Sequence, residues 1–130
     1  MSGRWHTRGS RVVYCAPNPA TSLVEVLVHS EIDSEDLIDP LRYLEIEAPD
    51  AVGTEQVDTR TFGRAWQTNI EASRRAGDEW LRSERSALLR VPSVLLPATW
   101  NILINPRHPD SRGVRVVRVH VHATDPRLVR

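Results

Sequence analysis

The stretch at residues 87–96, ALLRVPSVLL, decides the fold of this chain because it is the most apolar strand that the sequence predicts. Pro92 lies inside it, and since proline cannot donate a hydrogen bond to a strand ladder, we expect an edge or a bulge there. The hydroxyl of Ser93, the next residue, either bonds to the neighbouring backbone or points into a cleft where the proline disrupts pairing. Another short apolar piece at residues 102–104 is closed by a turn at Asn105.

Three more strands are predicted on either side of this pair. Residues 11–15 combine β-branched and aromatic side chains, which favours a short buried strand. Residues 42–47 alternate apolar and polar side chains in the manner of a half-buried strand. Residues 114–122 alternate more clearly, with valines on one side and Arg118, His120 and His122 on the other.

Two helices are predicted between the strands. Apolar residues at helical spacing indicate a helix over residues 19–30, with Asn18 as its cap. A second helical stretch covers residues 63–85, and Gly77-Asp78 is expected to end one helix and begin the next. Turn-like sequence at 31–40 and a loop at 49–62 complete the chain. Strands interleaved with two helices predict a single α+β domain over residues 1–130, with mixed or antiparallel sheets.

Composition narrows the functional classes. The chain has 130 residues, 40% hydrophobic and 26% charged, which suits one soluble domain. Its formal net charge is zero, so no overall field attracts nucleic acid or a membrane. No apolar run could span a bilayer and no signal-peptide pattern is present, so we expect a cytoplasmic protein. A single cysteine, Cys15, excludes an internal disulfide framework.

Three polar residues in or near apolar elements are candidates for chemistry. Arg4 belongs either to a loose terminus or to a packed segment that directs its guanidinium at an anion. Tyr14 either packs in the core with a satisfied hydroxyl or stacks on a planar ring. Glu25 lies between two valines on a mostly apolar helix, so it either sits at a helix edge in water or has a partner and a role.

Other chemistry-bearing residues give weaker signals. His120 and His122 could both face a metal, but no third ligand is evident, so an exposed strand face is favoured. The pair Arg74-Arg75 is most simply a solvated helix face. The sequence holds no G-x-S-x-G turn, phosphate loop, dinucleotide-type glycine motif or H-E-x-x-H motif.

Five blocks in order nevertheless indicate a family. They are GRWH at 3–6, VVYCAP at 12–17, SLVEVLVH at 22–29, ALLRVPSVLLP at 87–97 and WNILINPRHPD at 100–110. Together they resemble the RES domain, the toxin of RES–Xre type II toxin–antitoxin systems in bacteria. The resemblance covers nearly the whole chain, from Gly3 to Asp125. The family usually carries an extra segment before the first block, so this domain is expected to be short at its N-terminus.

The resemblance implies an ADP-ribosyltransferase-like fold, with a small split sheet around a cleft for nicotinamide adenine dinucleotide (NAD). It implies a toxin that cleaves the nicotinamide–ribose bond, as a glycohydrolase or phosphorylase, with water or phosphate as acceptor. The family pattern places Arg4, Tyr14, Glu25 and Ser93 in the site, with Asn105 as a weaker candidate. NAD would be the substrate, no cofactor or metal would be needed, and phosphate would be a co-substrate.

The partners implied are an Xre-type antitoxin that blocks the site and a second copy of the chain, without membrane or direct nucleic-acid contacts. Glu25 would stabilise the ribosyl cation, Arg4 would bind the pyrophosphate, Tyr14 would wall the nicotinamide and Ser93 would hold the ribose or amide. Two alternatives stay open: an ADP-ribosyltransferase that modifies a protein, and a catalytically decayed module that binds an Xre-type antitoxin.

Overall fold

The computed structural model describes residues 3–29, 40–96 and 98–128 as an α+β domain. Its two helices are α1 (Pro19–His29) and α2 (Ile70–Ser83). Its strands are β1 (Val13–Cys15), β2 (Leu41–Glu47), β3 (Thr54–Gln56), β4 (Leu88–Pro92), β5 (Trp100–Ile104) and β6 (Arg115–His122). Short 3₁₀ helices occupy Thr59–Phe62, Trp66–Thr68, Pro109–Gly113 and Pro126–Leu128.

The strands form two separate sheets. One is a mixed four-stranded sheet in the order β1-β5-β4-β3, in which only the β3–β4 pair is parallel. The other is a two-stranded antiparallel ribbon of β2 and β6, with a register shift after Glu45. This division agrees with the small split sheet that the family resemblance implies.

The two faces of the four-stranded sheet carry different cores. Leu89, Val91 and Leu103 lie on one face and pack with Trp5 and Trp80. Leu88 and Ile104, which pair in the ladder, lie on the other face and form a smaller cluster with Ala87, the residue before β4. Side chains alternate along a strand. Ser93, two positions beyond Val91, and Asn101, two positions before Leu103, therefore continue the first face.

The N-terminal segment is packed on α2. Trp5 is only 2% exposed, although it lies near the start of the chain. Gly77 makes this approach possible, because a Cβ on it would overlap the carbonyl oxygen of Trp5 and lie 2.7 Å from its carbonyl carbon. On the same side, both carboxylate oxygens of Asp78 accept hydrogen bonds from Thr7. The prediction that Gly77-Asp78 ends a helix is therefore wrong: both residues lie inside α2 and hold the N-terminal segment.

At Pro92, the last residue of β4, the pairing with β3 has already stopped at Arg90 and only β5 is paired, so the strand has the local edge that the proline predicts. Two other predictions need correction. The predicted loop at 49–62 contains β3, whose polar sequence pairs with β4. The second helix begins at Ile70 rather than at residue 63. Asn69 caps it there, because its side chain accepts a hydrogen bond from the Ala72 N–H.

The strand β1 covers residues 13–15 of the predicted 11–15, but it is not the buried strand expected, because Val13 and Tyr14 are each 42% exposed. The helix α1 follows its predicted pattern. Asn18 caps α1 through a 2.8 Å hydrogen bond from the Thr21 N–H. The residues predicted as turns at 31–39 lie outside the described part of the chain. Within the described ranges, no helix combines the length and apolar character needed to cross a membrane.

Candidate functional site

Glu25 lies where α1 meets the first face of the four-stranded sheet. One of its carboxylate oxygens, Oε1, accepts hydrogen bonds from Ser93 Oγ at 3.0 Å and from Asn101 Nδ2 at 3.1 Å. Ser93 is the residue after β4, and Asn101 is the second residue of β5. The site therefore joins residues that are far apart in sequence. Glu25, an acid on a mostly apolar helix, has hydrogen-bond partners, as a polar group in such surroundings needs.

The hydroxyl of Ser93 is fully used. It accepts hydrogen bonds from the N–H groups of Leu95 and Leu96, each at 3.2 Å, in the turn that follows β4. Since a hydroxyl has one proton and two lone pairs, its proton goes to Glu25. Ser93 thus bonds to the neighbouring backbone, one of the two roles considered from the sequence, and it also donates to Glu25.

Asn101 is a residue that the sequence analysis missed. It pairs with Val91 in the ladder and shares the sheet face of Leu103. A signal was available, because the strand period places this amide on the apolar face, where a polar group needs a partner. The isolated strand sequence could not reveal that the partner is Glu25.

Arg4 contacts Trp66, whereas Glu25 contacts Ser93 and Asn101. Its Nη2 donates to the Trp66 carbonyl at 2.9 Å, and its guanidinium lies 5.7 Å from the centre of the Trp66 ring. Its Nε is buried without a hydrogen-bond partner. Burial lowers the pKa of the guanidinium below its ordinary value, and nearby Arg74 lowers it further. Two neighbouring guanidinium groups and an unsatisfied donor make this a place suited to an anion.

Arg74 was predicted to be solvated, and that is wrong. It is half-buried, and its Nε donates to the Gly3 carbonyl at 2.8 Å. The residue before it, Ser73, is buried, and its hydroxyl donates to the Arg4 carbonyl at 2.8 Å. Small residues at 73 and 77, four apart on one helix face, were the sequence signal for this close contact.

Tyr14 connects β1 to the same N-terminal segment. Its hydroxyl accepts a 3.1 Å hydrogen bond from the Trp5 N–H and lies 2.7 Å from His6 Nδ1. Burial of the hydroxyl raises the Tyr14 pKa, and the bond from Trp5 opposes that shift. The side chain as a whole remains 42% exposed, so its ring is accessible while its hydroxyl is engaged.

Asn105 is the residue after β5, four positions beyond Asn101 and about 13 Å from it along the strand direction. It is 2% exposed. Its amide donates to the Leu81 carbonyl at the end of α2 and accepts from the Arg107 N–H. These contacts tie the strand to the helix and turn, and they do not bring Asn105 to Glu25.

Two buried side-chain atoms of the described residues lack a hydrogen-bond partner: Arg4 Nε, a donor, and Asn101 Oδ1, an acceptor. Native proteins leave few buried polar atoms unpaired, so each exception asks for a physical reason. Arg4 is itself a predicted site residue, and Asn101 donates a hydrogen bond to another predicted site residue, Glu25. By contrast, a cavity of about 230 Å³ lies against the opposite face, at Ile104, and its lining includes none of the predicted site residues.

The histidines of the ribbon make ordinary surface contacts. His120 Nε2 lies 3.0 Å from a carboxylate oxygen of Glu45, and the His120 and His122 rings stack at 6.4 Å. No group of three potential metal ligands occurs in the described ranges.

The described residues form an α+β domain, as the family resemblance implies. A family model for the RES domain matches residues 1–128, and the chain belongs to this family. Its relatives include a protein named Toxin Res from Pseudomonas putida strain KT2440, 41% identical across 98% of this chain and 86% of the relative.

A second relative, from Sphingobium sp. strain YBL2, is named Prs ADP-ribosylating toxin and is 40% identical across 98% of this chain and 81% of its own length. A third, Toxin Res of Yersinia enterocolitica, is 36% identical across 97% of this chain and 83% of its own length. Together these relatives support a toxin of the RES family.

Proposed function

We propose that this chain is a toxin that degrades NAD by cleaving its nicotinamide–ribose bond. The observation that carries the proposal is the Glu25 carboxylate, one oxygen of which is held by Ser93 and Asn101. Membership of the RES family and the toxin names of the relatives support the same function. Hydrogen bonds to one oxygen fix the direction of the carboxylate, which is what stabilisation of a developing cation requires.

The chemical step is the breaking of a carbon–nitrogen bond. The nicotinamide ring of NAD is positively charged, so the bonding electrons move to its nitrogen and the ring leaves as neutral nicotinamide. Positive charge then develops on the ribose. The Glu25 carboxylate would stabilise that charge more in the transition state than in the ground state. Water adds to give ADP-ribose and a proton, or phosphate adds to give ADP-ribose phosphate.

The other predicted residues would bind the rest of the substrate. Arg4, with Arg74 beside it, would hold the pyrophosphate through charge-assisted hydrogen bonds. Its unpaired Nε is a donor suited to a phosphate oxygen. Tyr14, with its hydroxyl engaged and its ring accessible, would form a wall for the nicotinamide. NAD is consumed in this reaction, so it is a substrate and no recycled cofactor or metal is proposed.

Transfer of ADP-ribose to a protein is the second candidate. The specific observation that favours it is the name of the Sphingobium relative, an ADP-ribosylating toxin. This reaction would use the same carboxylate and the same bond cleavage, and it would differ only in the acceptor.

Product analysis tests these functions. The purified chain is incubated with NAD labelled in its ADP-ribose part, with and without phosphate and with a bacterial extract. Free labelled ADP-ribose or its phosphate supports degradation, whereas label on a protein supports transfer. Absence of nicotinamide release under all three conditions would contradict both reactions and leave the decayed binding module.

We also propose that an Xre-type antitoxin binds the chain in the cytoplasm and blocks the site, with a second copy of the chain as a further partner. The chain belongs to the RES family, and the resemblance to the toxins of RES–Xre systems implies this partnership. Co-expression tests it: the antitoxin should co-purify with the chain and suppress nicotinamide release. Size-exclusion chromatography of the chain alone would report the second copy.

A further inference from the structure

Asn101 occupies an unusual place for an amide. Its side chain belongs to the sheet face that carries Val91 and Leu103, both of which are almost completely buried. Apolar side chains are the normal occupants of such a face, and an amide there needs hydrogen bonds to both its nitrogen and its oxygen.

Only one half of this amide is satisfied. The Nδ2 group donates to Glu25, and the orientation follows from chemistry, because a carboxylate only accepts hydrogen bonds. The Oδ1 atom then points elsewhere and is buried without a partner among the described residues. Ser93 also donates to Glu25, but all of its own hydrogen-bonding capacity is used, so holding the carboxylate does not require an unpaired atom. Asn101 Oδ1 lies beside the Glu25 carboxylate and lacks a hydrogen-bond donor, which a bound substrate would supply.

We propose that Asn101 positions Glu25 through Nδ2 and accepts, through Oδ1, a hydrogen bond from a sugar hydroxyl of the bound substrate. The inference rests on the proposed NAD cleavage and adds a substrate-recognition residue to it. If Glu25 faces the carbon that loses nicotinamide, the hydroxyl on the adjacent ribose carbon is the donor closest to the breaking bond. One amide then fixes the carboxylate and the sugar relative to each other, and the acceptor selects substrates that carry this hydroxyl.

The test compares two substrates on four proteins. The substrates are NAD and an analogue that lacks the hydroxyl adjacent to the reacting carbon of the nicotinamide ribose. Each rate of nicotinamide release is divided by the spontaneous hydrolysis rate of the same compound, because loss of the hydroxyl changes the intrinsic reactivity. The proteins are the wild type, Asn101→Leu, Asn101→Asp and the control Gln56→Leu, which replaces an exposed amide of β3 with the same apolar side chain. Thermal unfolding verifies that each protein is folded.

The two variants separate the two roles. Asn101→Leu loses both, so kcat for NAD should fall by about 10- to 100-fold and the normalised preference for NAD over the analogue should disappear. Asn101→Asp retains an acceptor oxygen but places a second negative charge beside Glu25. We expect it to lose rate while keeping the preference for the hydroxyl. Gln56→Leu should match the wild type in both respects.

Several results would overturn the proposal. If Asn101→Leu keeps the wild-type preference for NAD, Oδ1 does not accept from this hydroxyl. If Asn101→Leu also keeps the wild-type kcat, the positioning role fails as well. If the wild type releases no nicotinamide, the proposed function fails, and equilibrium binding of ADP-ribose decides the role of Asn101. A dissociation constant raised at least about tenfold by Asn101→Leu, and unchanged by Gln56→Leu, would support it, and equal constants for all proteins would contradict it.

Discussion

Replacement of Gly77 by alanine tests how the N-terminal segment reaches the site. The added Cβ would overlap the carbonyl oxygen of Trp5, lie 2.7 Å from its carbonyl carbon and 3.2 Å from its Cβ. Two of these three atoms are backbone, so no side-chain rotation relieves the overlap. The segment must move away from α2, and Trp5, which is 2% exposed, must leave its place in the core.

The magnitude follows from two opposing effects. Alanine in place of glycine inside a helix stabilises it by about 1 kcal/mol. Loss of a buried tryptophan from a core costs about 3–5 kcal/mol. The net destabilisation is therefore about 2–4 kcal/mol, which for a domain of this size lowers Tm by about 8–16 °C. Because Arg4 precedes Trp5 directly, the NAD concentration for half-maximal rate should also rise.

The assay is thermal unfolding followed by circular dichroism, with Gly53→Ala as the matched control. A Cβ on Gly53 would meet its nearest neighbour, Ser86 Cβ, at 4.0 Å, which is ordinary van der Waals contact. We expect this control to unfold within a few degrees of the wild type. A Gly77→Ala variant that unfolds at the wild-type temperature would refute the packing of Trp5 against α2.

Three further predictions concern individual contacts. Ser93→Ala removes one of the donors to Glu25, so kcat should fall by about 10-fold or more while the protein stays folded, as measured by nicotinamide release and circular dichroism; an unchanged kcat would remove Ser93 from the site. Arg4→Ala should mainly raise the KM for NAD, and a KM equal to that of the wild type would separate Arg4 from the pyrophosphate. Asp78→Ala leaves two polar groups of Thr7 unpaired and should lower the free energy of unfolding by about 1–3 kcal/mol in a urea titration, whereas an unchanged midpoint would show that these bonds add nothing.

Local patterns predicted the elements whose signals are local. The helix α1 and its cap at Asn18 follow from helical spacing and a proline at the first position, and the structure confirms both. The strand β6 follows from strict alternation. By contrast, β3 has the polar sequence Thr54-Glu55-Gln56 and becomes a strand only because it pairs with β4. Its formation depends on a distant partner that no local window contains.

Gly77 shows a second limit of local patterns. A glycine followed by an aspartate is a common helix ending, which is why a break was predicted. Here the glycine serves a tertiary contact with Trp5, and the aspartate binds Thr7 across the same interface. Sequence alone gave no reason to choose the contact over the helix ending, although Ser73 four residues earlier was consistent with a close approach.

The candidate site also contains residues that were predicted from the sequence and one residue that was missed. Glu25 and Ser93 were candidates because of their apolar surroundings, and the family resemblance placed both in the site; the structure shows them in direct hydrogen-bond contact. Arg4 was placed there by the same resemblance, but it donates to the Trp66 carbonyl and lies near enough to Arg74 for that charge to lower its pKa. Asn101 was missed because a single amide in an apolar strand looks like a tolerated exception until its partner is known. Strand periodicity gives the face of each side chain, but which helix covers that face is a property of the whole fold.

The most direct test of the central claim is the rate of nicotinamide release by Glu25→Gln, measured at saturating NAD beside the wild type. The amide is close in size to the carboxylate but carries no negative charge, so NAD binding and Tm should change little while kcat falls by at least about 100-fold. A folded Glu25→Gln protein that releases nicotinamide at the wild-type rate would contradict the claim that this carboxylate stabilises the ribosyl cation.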